Sequence, residues 1–145
     1  MGTSDAYGRL AALGNQLVDT HIRLLEALDD LREGGAPPRD LLTHCVAFCA
    51  AVTRHHTAED TSVFPLLAAR HPELRPVLDG LERDHQAIAA LLRRVSELTG
   101  SRDADGVRAE LDGIAAVLAS HFAWEEKRVV AALNELAPGE LDPRW

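Results

Sequence analysis

Residues 45–59 read CVAFCAAVTRHHTAE, and this stretch decides how the chain folds. Leu41, Leu42, Cys45, Phe48, Cys49 and Val52 recur at steps that keep one face of an α-helix apolar. His55 and Glu59 follow, one turn apart on a single helix face. A carboxylate buried there without a partner would be costly, so its placement asks for a compensating charge. The apolar run from Cys45 to Val52 is the longest in the chain and falls well short of the roughly 20 residues a membrane span needs.

Three further segments read in the same way. The first extends from about Ser4, a plausible N-cap, to Arg32, with Leu10, Leu13, Leu17, Leu24, Leu28 and Leu31 on one face. It ends at Gly34-Gly35-Ala36-Pro37-Pro38, and the second segment starts near Arg39. Pro65 should interrupt that helix near Phe64, leaving a short helical tail to Arg70. His71-Pro72 and Arg75-Pro76 mark the next turn. A third helix then carries Val77, Leu78, Leu81, Ile88, Leu92, Val95 and Leu98 to a stop at Gly100. Ser101 or Asp103 can cap the fourth, which buries Leu111, Ile114, Leu118, Val129, Leu133 and Leu136 before Pro138-Gly139. The pattern predicts an all-α protein: one domain over residues 1–145, core about 10–136, folded as an antiparallel up-down-up-down four-helix bundle.

Every stripe is interrupted by histidine: His21, His55 with His56, His85, and His121. His21 lies about 14 residues before Gly35 and His55 about 17 after Pro38. At 1.5 Å per residue both sit ~21–26 Å from that end of the bundle. His85 lies about 15 residues before Gly100 and His121 about 18 after Asp103, again ~22–27 Å. The histidines are therefore expected to meet at one level. His55/Glu59 and His121/Glu125 each set an imidazole beside a carboxylate, so the glutamate can bridge two metals while the histidine terminates one.

Composition narrows the partners. A net charge of −8 argues against nucleic acid, which needs a basic face, whereas two bound cations would offset much of it. The N-terminal MGTSDAYGRL lacks the basic-then-apolar pattern of a secretory leader, so the expected location is the cytoplasm. Fourteen of the fifteen basic residues are arginine, which, with the abundant Ala and Leu, points to a GC-rich bacterial genome. Cys45 and Cys49 read as buried free thiols rather than a disulfide framework.

His21, the segment His55-His56-Thr57-Ala58-Glu59, Asp84-His85 and the segment His121 to Glu126 together resemble the hemerythrin-like, or HHE cation-binding, family, as does Val63-Phe64-Pro65. The resemblance implies a non-haem pair of iron ions, oxo- or hydroxo-bridged. His21 and His55 would serve mainly one iron, His85 and His121 mainly the other, and Glu59 and Glu125 would bridge. Asp60 and Glu126 would orient imidazoles or stay solvated. The family's oxygen carriers have another histidine one turn after the third-helix ligand, and here that position is Ala89. One iron would then be an imidazole short. His56, ~60° around the helix from Glu59, could give the other iron a fifth imidazole or hydrogen-bond beside it. Tyr7 is too far along its helix to ligate, and His44 and His71 fall off the stripes.

The reading that follows is a redox-active di-iron protein meeting dioxygen or peroxide, as in peroxide breakdown or an oxidase. The alternatives are reversible binding or sensing of oxygen, iron or nitric oxide, and a structural zinc site at the same residues.

Overall fold

The computed structural model describes residues 12–33, 38–137 and 139–141. Ser4, Tyr7, Leu10, residues 34–37, Pro138 and the last residues of the tail lie outside these. The described residues are helical, without a strand. Four long helices, α1 (Leu13–Glu33), α2 (Pro38–Ala58), α4 (Arg75–Gly100) and α5 (Ala104–Asn134), carry the core; α3 (Phe64–Arg70) extends α2. No helix is long and apolar enough to cross a membrane among the described residues.

The core comes in two parts. One gathers Leu24, Leu28, Phe48, Val52, Ile88, Leu92, Leu118 and Phe122. The other gathers Leu13, Leu17, Val63, Phe64, Leu81, Val129 and Leu133. Helices α1, α4 and α5 each pass from one part to the other, the chain after α2 does so by Val63, and the sense alternates along the chain. In α1 the order is Leu17, His21, Leu24; the course through Val52, His55 and Val63 is the reverse. Helix α4 repeats the first sense and α5 the second. The histidines fall in the layer between the two parts.

Pro65 does not break the second helix. Glu59–Val63 form a π turn, with the Phe64 N–H donating to the Glu59 carbonyl, and Pro65 sits in the first turn of α3, where its missing N–H costs little. The wider turn absorbs the proline while the chain stays helical on both sides. Short π segments of this kind are frequent at functional sites.

Punctuation elsewhere follows the side chains. The Asp103 carboxylate caps α5, accepting from the Gly106 N–H at 2.9 Å. Arg102 takes a left-handed conformation (φ 58°) just past α4, and the Asp103 N–H closes that end on the Leu98 carbonyl at 2.9 Å. Helix α5 stops at Asn134, so buried Leu136 lies beyond it. Gly14 lets α1 approach α5: its N–H donates to Asn134 Oδ1 at 2.9 Å, and a Cβ there would come within 2.7 Å of the Val130 carbonyl.

Cys45 and Cys49 are free and buried in α2, and burial, then Cys45, push the Cys49 thiol up to about 11. His44 is exposed on α2. His71 lies at the surface facing Glu135 at 3.1 Å and Glu73 at 3.4 Å.

Candidate metal centre

Where the two core parts meet, seven ionisable side chains are buried: His21, His55, His56, Glu59, His85, His121 and Glu125. They form two groups. His21, His55, Glu59 and Glu125 bring one donor atom each within 4.8 Å of one another, and so do His56, His85 and His121. Ring nitrogens converge on the first group: His21 Nε2 lies 3.1 Å from His55 Nε2 and 3.3 Å from Glu125 Oε1. Glu59 Oε1 lies 3.5 Å from His55 Nε2 and 3.3 Å from His85 Nε2, so this carboxylate reaches both groups. Glu125 Oε1 spans the same gap, being 3.9 Å from His121 Nε2.

The outer nitrogens are held by carboxylates. His85 Nδ1 donates to Asp60 Oδ1 at 2.7 Å, and His21 Nδ1 to Glu126 Oε2 at 3.0 Å. His121 Nδ1 donates to Asp84 Oδ2 at 3.0 Å. An ionised carboxylate can only accept, so each of these rings carries its proton on Nδ1 and turns Nε2, as an acceptor, into the protein. The sequence suggested Asp60 and Glu126 for this role and missed Asp84. Its signal was its place before His85, one residue short of the stripe and aimed at the neighbouring helix.

Helices α2 and α5 repeat one device. His55 and His121 open it, Glu59 and Glu125 close the next turn, and Asp60 and Glu126 follow. The residue after each histidine stacks on a ring from a different helix. His56 lies on His85, centroids 3.8 Å apart and planes 11° apart; Phe122 lies on His21 at 3.9 Å and 8°. The two halves differ in that ring: imidazole in one, phenyl in the other.

His56 is also where the structure departs from the sequence reading. It stands with His85 and His121, 5.2 Å from the latter ring, and not on the side of His21 and His55. Successive helix residues point 100° apart, so while His55 faces α1, His56 turns towards α4. The side bearing Ala89 is thus not an imidazole short; α2 supplies what α4 lacks.

Burial dominates the electrostatics. It drives His55 down to about 3, partly opposed by Glu125, and holds His56 and His121 below the ordinary imidazole range, so all three are neutral at pH 7. Burial and the facing Glu125 push Glu59 well above the carboxylate range. Burial acts against the Glu125 charge as well, but the facing Glu59 carboxyl and His21, its Nε2 3.3 Å from Oε1, outweigh it and hold Glu125 down at about 2. Among the described residues, Nε2 of His56, His85 and His121 and both oxygens of Glu59 and Glu125 have no hydrogen-bond partner. Buried polar atoms are nearly always satisfied, and converging lone pairs of this kind are satisfied by a cation. The donors fit a metal.

Fold and site define a helical metal-binding domain built on histidine and glutamate. Residues 13–133 match the hemerythrin HHE cation-binding domain, and the chain belongs to that family. No curated protein and no solved structure matches it.

Proposed function

We propose that the two groups hold two iron ions and that the protein reacts with dioxygen or peroxide. The observation that carries this is the pair of adjoining donor groups with Glu59 and Glu125 within reach of both. His21, His55, Glu59 and Glu125 would hold one ion; His56, His85 and His121, with the same glutamates, the other. Iron bound by imidazole and carboxylate supplies electron exchange with oxygen species. Helices in antiparallel up-down-up-down order bring the donors together, a course supported by the alternating passage between the two core parts.

The chain's own residues prepare the site. Asp60, Glu126 and Asp84 fix the imidazoles by holding protons at their Nδ1 atoms. Phe122 and Phe64, both buried, stack on His21 and His85 and keep water from the rings. Glu59 gives up its proton when positive charge arrives between the two carboxylates. The His21–His55 side has one imidazole fewer and so has room for an exogenous oxygen ligand.

The test is metal per chain in the purified protein, with ferric charge-transfer absorption. Two irons are expected. Less than one, together with unchanged behaviour of His85→Ala, overturns the proposal; zinc at the same stoichiometry makes the site structural.

A second reading is reversible oxygen binding, favoured by His56, which restores the third imidazole that Ala89 omits. Anaerobic reduction followed by air separates the two. A stable, reversible spectrum supports carriage, and rapid irreversible oxidation supports redox chemistry.

A further inference from the structure

Between α2 and α4 lies a cleft of about 800 Å³, within the range of small-molecule sites. Its apolar lining includes buried Cys49 and Leu92 and exposed Val46. Its charged lining residues are Arg54 and Arg93 alone, and neither forms an ion pair with any described residue. In a chain of net charge −8, two uncommitted guanidiniums over one cleft stand out. A smaller pocket of about 170 Å³ adjoins it, sharing Thr53, Thr57, Ala89 and Leu92 with the cleft and reaching His56, His85 and Asp60. His56 is 6% exposed and its Nε2 has no hydrogen-bond partner among the described residues.

We propose that the cleft binds a short aliphatic carboxylate, its charged end between Arg54 and Arg93 and its chain along the apolar lining towards His56 and His85. Guanidinium recognises carboxylate by paired, charge-assisted hydrogen bonds, which supplies orientation as well as affinity. The smaller pocket has room for a few carbon atoms, since a water molecule takes about 30 Å³. Asp60, which lines it, accepts from His85 Nδ1 and keeps its negative charge, which favours the ligand's carboxylate at the arginine end. What the ligand is for depends on the proposed metal centre; whether it binds does not.

Hexanoate is the probe, titrated by calorimetry and by backbone amide shifts into the protein as isolated and after chelation. Saturable binding is expected in both forms, with shifts centred on Thr53, Ala89 and Arg93. Hexanamide, equal in size and uncharged, should bind at least about tenfold more weakly, a difference of about 1.4 kcal/mol. The double variant Arg54→Gln/Arg93→Gln, at exposed positions that leave the fold intact, should lose about as much. Ala89→Phe should abolish binding. Equal binding of hexanamide, no effect of the arginine substitutions, or no saturable binding by the unaltered protein overturns the proposal. Failure of the metal-centre reading appears instead in metal content and leaves the titration interpretable.

Discussion

The His55–Asp60 stretch, from the end of α2 into the π turn, and the His121–Glu126 stretch of α5 set the same elements in the same order, yet one adds an imidazole to the site and the other a phenyl ring. His56 and Phe122 occupy equivalent places and stack almost identically on His85 and His21. Position alone therefore fixes the packing, and the residue type decides whether the packed ring also offers a lone pair. The backbone differs as well: α2 widens into a π turn at Glu59, whereas α5 runs through Glu125 without interruption.

The largest effects should come from what the two stretches share. Glu59→Ala and Glu125→Ala should each release both ions, because each glutamate faces both groups; metal content by atomic emission checks this. Retention of one ion would mean that the carboxylates act on separate sides. The difference between the stretches comes next. His56→Phe, which copies Phe122, should lower metal content from two ions to about one, with the melting curve of the metal-free protein little changed. Phe122→His is the reciprocal change and should leave two ions while altering the absorption spectrum. If His56→Phe keeps both ions, His56 is only a packing residue like its counterpart.

Smaller still are the changes at the outer carboxylates. Asp60→Asn and Glu126→Gln should each weaken metal binding by about 10- to 100-fold, as loss of an imidazole's carboxylate partner generally does. Competition with a chelator measures it, and the two should act on opposite sides.

The smallest effect concerns the metal-free chain. Burial pushes His55 down to about 3 from the ordinary imidazole value of 6.5, so between those values the unfolded chain binds more protons and stability falls as pH drops. Glu59 has the opposite sign: its raised pKa gives stability that is present below about 4.5, the ordinary glutamate value, and lost as pH rises through the folded value. Glu59→Gln should therefore raise the melting temperature of metal-free protein at pH 7 by a few degrees, about 1 kcal/mol. A lower melting temperature would show that the carboxylate is already compensated.

Much of this was legible from spacing. Apolar residues every three or four positions mark the helices, and counting from Gly35, Pro38, Gly100 and Asp103 sets the histidines at one depth. Rotation about the helix was read less well. The 100° between His55 and His56 decides which group each joins, and that depends on where α1 and α4 stand around α2, which no local pattern encodes. Pro65 signalled an irregularity correctly, but a break and a widened turn leave the same trace in a sequence. Asp84 was passed over because its role is defined by His121, 37 residues away.

The division of the apolar interior has a consequence for folding. A polar layer between the halves interrupts the side-chain interlocking through which one end of the bundle communicates order to the other. Without a cation at that layer, the halves should open as separate cooperative units, visible as two classes of amide hydrogen exchange. With one bound, donors from four helices are pinned to a common point and the classes should merge, making the centre the rivet that turns two small cores into a single folding unit.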